Sequence, residues 1–174
     1  MEQILSLEGT KFAPEELLLK QILKYIAIVV AGFLVIQLVP YGRSHINPPV
    51  AAEAKWDSPQ TRSLAQRACF DCHSNETTWP WYSNVAPMSW LIQHDVEEGR
   101  STMNLSEWGA TPVIRSQGER GQPQADAQEI SNAILGGRMP PDQYLVLHPN
   151  ADLSQAEREQ LAKGFQSMLG VAVK

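Results

Sequence analysis

Residues 69 to 73 read Cys69-Phe70-Asp71-Cys72-His73, and these two cysteines are the only ones in the chain. The spacing lets one turn of backbone present both sulfurs to a single edge of a planar macrocycle. The next residue then swings its imidazole beneath the ring. This is the Cys-x-x-Cys-His pattern of covalent haem attachment, with thioethers at Cys69 and Cys72 and His73 as iron ligand. A structural zinc site needs four ligands in two pairs, and no second pair exists. A redox dithiol and a plain disulfide are the competing readings. The dithiol needs no following histidine and usually accompanies a βαβ pattern that this sequence lacks. One covalent haem c is therefore the expected cofactor.

A second constraint lies upstream. Tyr25 to Val39 is an almost unbroken apolar run, bounded by Lys24 and by Pro40-Tyr41. With Ile22, Leu23 and the Lys24 stem it approaches the ~20 residues that cross a bilayer core. Lys24 can snorkel, and Tyr25 and Tyr41 lie where interfacial aromatics belong. A buried core helix of this kind would need a larger protein around it. A cleaved signal is the stronger rival, since Ala52-Glu53-Ala54 has the form of a cleavage site. That site lies well beyond the apolar run, however, and the leading segment is long for a signal. Basic residues hardly decide orientation, with Lys11, Lys20 and Lys24 before the span and Arg43 and Lys55 after it. Haem attachment on the outer side of the membrane does decide it. The expected layout is a cytoplasmic segment 1–21, a single-pass anchor 22–40 in a bacterial inner membrane, a proline-containing tether 41–56, and a periplasmic haem-binding domain 57–174.

The formal net charge of −5 argues against a nucleic-acid partner, which would call for a basic patch. Periodicity predicts a mainly α fold. Asp57 or Ser58 can cap a helix that Pro59 opens, with Leu64, Ala65 and Ala68 leading into Cys69. Pro87 opens another, with Met88, Leu91, Ile92 and Val96 on one stripe and Gly99 as a plausible end. Asp126 precedes a helix carrying Ile130, Ala133 and Ile134, stopped by Gly136-Gly137. Ser154 and Glu157 form a capping box for the last, lined by Leu161, Phe165, Met168 and Leu169 before Gly170.

A helix running into the haem motif, a Met-Pro segment and a closing amphipathic helix resemble the class I cytochrome c arrangement. That resemblance implies a small helical domain around one covalent haem. It makes Met139, ahead of Pro140-Pro141, the candidate sixth ligand, a soft thioether that favours ferrous iron. Met88 and Met168 sit on apolar faces and read as core, and Met103 could be either. His94 is offset from its helix stripe and reads as a rim residue. His148 could donate to a backbone or propionate group, and His45 sits in the tether. Any of these histidines would instead give a bis-histidine site.

Longer stretches also match a known pattern: His45 to Pro49, Cys69 to Thr77, Trp79 to Pro87, Ser89-Trp90-Leu91, Asp95-Val96, Glu98-Gly99-Arg100, Asn104 to Trp108, Met139 to Pro141, Tyr144, Leu147-His148-Pro149 and Leu153-Ser154. Together they resemble the haem-binding domain family of small, membrane-anchored, single-haem c-type cytochromes. Leu105 stands where a phenylalanine is expected. The resemblance implies haem binding and electron transfer. Trp79, Trp81, Tyr82 and Trp90 are expected to wall the haem and to direct polar tips to its propionates. Arg100 or Arg138 is a candidate propionate partner. The expected function is single-electron transfer between redox partner proteins, with no catalytic residue and no small-molecule substrate. A haem enzyme or gas sensor with an open distal position is the alternative; the sequence shows no distal catalytic pair.

Overall fold

The computed structural model describes residues 14–108 and 127–169. Residues 1–13 of the leading segment, Lys11 among them, and the helix signals at Asp126 and Gly170 lie outside them. The described chain is mainly helical, with no strand beyond one isolated bridge pairing Ala52 with Glu107. It divides into two units, one ending at Pro40 and one beginning at Tyr41.

The first unit contains α1, Pro14–Ile36, which starts well before the apolar run. Pro14 suits a first helical turn, and Glu15 and Glu16 complement the positive end of the helix dipole. From Glu15 to Ile36 the helix is long and apolar enough to cross a membrane, and its apolar side chains are exposed all round.

The second unit holds α2 (Pro59–Ala68), α3 (Phe70–His73), α4 (Met88–Thr102), α5 (Ala127–Leu135), α6 (Asp142–Leu145) and α7 (Gln155–Met168), with short 3₁₀ turns at Trp81–Asn84 and Pro149–Ala151. Ser58 caps α2 by accepting from the Thr61 N–H. Ser154 and Glu157 cap α7 reciprocally, as the sequence predicts. Leu64 and Ala65 of α2, Ile130 and Ile134 of α5, and Leu161, Ala162 and Phe165 of α7 meet in one core with Phe70 and Leu105. Packing of α7 against α5 and α2 encloses it.

The face of α4 differs from expectation. Its buried line runs through Ser89, Val96 and Gly99, while Leu91 is 46% exposed. Gly99 and Ser89 are small where the helix backbone closely approaches Cys72 and Gly42, and Val96 fills the line between them. The helix also runs one turn past Gly99. Nor does the segment 41–56 hang free as a tether. Ala51 and Ala52 both donate to the Ser106 carbonyl, Ala54 donates to Leu105, and Ala54 is buried.

Two features of the α2–α7 contact are testable. A methyl group on Gly164 would overlap the Thr61 side chain, which is fully buried and stiff at its branched Cβ. Gly164→Ala should cost roughly 1–3 kcal/mol by overpacking, measured by denaturant unfolding. Arg67 pairs with Glu157 across the same contact, and that bond, with those from Ser154, holds the Glu157 carboxyl down to about 2. A depressed carboxyl contributes stability above its ordinary value and loses it as pH falls toward 2. Glu157→Gln should flatten that acid limb of the stability profile.

Candidate haem site

The Cys-x-x-Cys-His segment is oriented by its two intervening residues. Phe70 is 2% exposed and packs its ring against Trp56 in the core. Asp71 faces the other way and is fully engaged. Its carbonyl accepts from the Thr77 hydroxyl at 2.8 Å, one carboxylate oxygen from the Thr78 N–H at 2.9 Å, and the other from the Tyr144 hydroxyl at 2.6 Å. With one side chain sunk and the next tied, the orientation of the turn is fixed. Backbone bonds from Cys72 and His73 to the Cys69 carbonyl close it.

The His73 ring is held from outside its own turn. Its Nδ1 lies 3.0 Å from the Gly99 carbonyl and 3.2 Å from the Met103 carbonyl. A carbonyl can only accept, so Nδ1 carries the proton and Nε2 carries the free lone pair. Burial lowers the His73 pKa and favours the neutral ring. Gly99 makes the approach possible, because a Cβ there would overlap the Cys72 carbonyl.

The two cysteines are not joined. Burial pushes each thiol up to about 12; the Cys72 charge adds to the effect at Cys69, and Asp95 and Asp71 add to it at Cys72 against a smaller lowering by Arg100. A reactive dithiol needs the opposite, a thiol lowered by a neighbouring cation or helix N-terminus. Among the described residues no three His, Cys, Asp or Glu side chains form a cage for a bare ion. The donor set is one imidazole beside two protonated thiols. It fits a metal that arrives in its own macrocycle with two groups for sulfur to add to.

Arg100 is not available to a propionate. Its Nε donates to the Ser74 carbonyl, Nη1 to Ile46, and Nη2 to the Asn47 and Thr77 side chains, at 2.8–2.9 Å. It binds α4 to the segments on either side of the attachment turn. Arg138 is exposed, and its backbone N–H donates to the Ala133 carbonyl. Trp79 spends its indole N–H on Asn47 and stacks on His45 at 4.7 Å. Trp81 stands 79% exposed beside Tyr82, whose hydroxyl lies 3.4 Å from His148 Nε2. The enclosed indole N–H of Trp90 has no acceptor among the described residues.

Met139 is 41% exposed on the loop after α5. The rival histidines are placed elsewhere. His45 bonds Ser83, and His148 donates Nδ1–H to Tyr144 and stacks on its ring at 4.0 Å. His94 is exposed next to Glu98. Met103 packs against the core while its carbonyl serves His73. Sequence reasoning read Gly99 only as a helix end, and gave Asp71 and Tyr144 no role beyond their place in the matched stretches. Only the Asp within the motif carried a signal, since a charge between two thiols must be tied or solvated.

The Tyr144–Asp71 bond ties the attachment turn to the segment following Met139. Burial and the Asp71 carboxylate raise the Tyr144 hydroxyl pKa far above its ordinary value. A raised group contributes fully below its unfolded value, near pH ~10, and its contribution is lost as pH climbs beyond. Tyr144→Phe should lower stability by roughly 1–3 kcal/mol at neutral pH. It should also remove part of the alkaline loss, followed by unfolding at pH values either side of ~10.

Comparison with known proteins agrees with this chemistry. No curated protein and no solved structure matches the chain, while the sequence pattern of the haem-binding domain family matches residues 31–167. That stretch takes in the attachment turn, all of α4 and the Met139 loop. The chain belongs to the haem-binding domain family, and haem is the cofactor this membership assigns to it.

Proposed function

We propose that this chain is a membrane-anchored, single-haem c-type cytochrome that passes single electrons between redox partner proteins on the outer side of a bacterial inner membrane. The observation carrying the proposal is the His73 ring, fixed by two backbone carbonyls so that Nε2 is free beside two protonated thiols. Nothing in a dithiol enzyme would require a histidine held in that way.

Cys69 and Cys72 would hold the haem through thioethers, each thiol adding S–H across a vinyl group with sulfur on one carbon and hydrogen on its neighbour, a step with no net oxidation or reduction. Bound haem supplies the Fe(III)/Fe(II) couple. The protein keeps the His73 tautomer fixed, and the carbonyls of Gly99 and Met103 make the imidazole a stronger donor. Met139 offers a neutral thioether on a half-exposed loop, suited to ferrous iron. Trp90 contributes an enclosed indole N–H with no acceptor among the described residues, a donor suited to a carboxylate such as a propionate. This work requires no substrate and assigns no catalytic residue. The apolar helix α1 anchors the domain, with the chain before it in the cytoplasm.

The deciding measurement is the visible spectrum of oxidised and reduced protein, with and without carbon monoxide. Covalent haem should survive denaturing electrophoresis, oxidised protein should show the weak far-red band of Met–Fe(III) ligation, and reduced protein should resist carbon monoxide. Met139→Ala should abolish the band, create high-spin character and lower the potential. Rapid carbon monoxide binding by wild type, with Met139→Ala spectrally silent, would instead identify an open distal site and a sensor or enzyme. Mature protein beginning near Lys55 in the soluble periplasm would refute the anchor.

A further inference from the structure

We propose that Arg158 is the positioning residue for the Met139 sulfur, its guanidinium reaching from α7 to fix the loop that presents the thioether. The inference rests on the reading of Met139 as an iron ligand.

Met139 lies on the loop after α5, and its backbone is held on both sides. The N–H groups of Arg138 and Met139 both donate to the Ala133 carbonyl in α5, at 2.9 and 3.1 Å. From the other side, Arg158 Nη1 donates to the Met139 carbonyl at 3.1 Å and to the Ile134 carbonyl at 3.2 Å. Its Nε donates to Leu153 at 3.0 Å and Nη2 to Asp152 at 3.2 Å.

The Arg158 side chain is only 13% exposed, whereas that of Asp152 is 64% exposed. An ion pair so open to water contributes little. The guanidinium acts as a fixed fork of charged donors, the stronger kind of hydrogen bond, joining the end of α5, the ligand loop and the entry to α7. A lysine ammonium is a single point on a flexible stem and cannot reproduce that span. Loss of the fork frees the Met139 carbonyl. The sulfur then has more positions to sample, and its hold on the metal weakens.

The test uses full-length, haem-loaded protein in detergent and four variants: Arg158→Gln, Arg158→Lys, Asp152→Asn and Met139→Ala. Three readouts report on the sulfur: the far-red band, the carbon monoxide association rate of reduced protein, and alkylation of Met139 by iodoacetamide, read by peptide mass. Circular dichroism reports on the fold. Both Arg158 variants should keep their helices and covalent haem, weaken or lose the band, bind carbon monoxide about tenfold faster or more, and expose Met139 to alkylation. Asp152→Asn should match wild type in all three.

If Met139→Ala loses the band but both Arg158 variants retain it and still resist carbon monoxide, Arg158 is only a staple and the axial reading stands. If Met139→Ala changes nothing, the axial reading fails and takes this proposal with it. Global unfolding of both Arg158 variants also overturns it, because Arg158 then holds the whole fold rather than the loop.

Discussion

Two backbone carbonyls from the C-terminal end of α4 hold one imidazole, and the rest of the domain is arranged around that contact. The His73 ring could not be turned by its own four-residue helix, which offers no partner for Nδ1. It needs a second helix close enough for main chain to meet main chain. That need explains a glycine at position 99 and the small residues along the buried line of α4. A side-chain carboxylate in place of the carbonyls would bring a charge beside the ring. The carbonyls bring only dipoles, which orient the ring without adding net charge.

Keeping α4 in place falls to a polar network rather than to apolar packing. Arg100 reaches across Ser74, Ile46, Asn47 and Thr77. Asn75, 3% exposed, bonds Ser106, Pro49, Glu107 and Asn104. These groups are satisfied by one another, which is the condition under which buried polarity fixes one arrangement instead of penalising all of them. The apolar core of Leu161 and Phe165 takes in Phe70 of the Cys-x-x-Cys-His turn, with Cys69 packed against it. Apolar burial thus supplies cohesion, and hydrogen bonds supply the register of the site.

What could be read from the chain follows from how local each signal is. The capping box at Ser154, the proline-led start of α2 and the paired isoleucines of α5 act within a few residues, and they appear as expected. The Cys-x-x-Cys-His turn is equally local. The stripe assigned to α4 went astray at Leu91 because hydropathy identifies which residues seek cover, whereas this face was selected for closeness. Arg100 looked like a ligand for a carboxylate because a guanidinium's partners cannot be found from its neighbours in sequence. Tyr144 and Asp71 illustrate the same limit, being far apart in the chain and joined only by the fold.

The hydrogen bonds from Ala51, Ala52 and Ala54 to residues 105 and 106 carry a consequence for the order in which the domain is made. They close a loop of roughly fifty residues, and loop closure on that scale is paid for before the contact rewards it. During synthesis the stretch after Pro40 emerges early, yet its partners emerge only after the attachment turn and α4. The Cys-x-x-Cys-His turn therefore precedes the residues that latch this edge of the domain. Closing the edge is a late step, which leaves a window for a bulky, rigid cofactor to enter a fold whose boundary has not yet set.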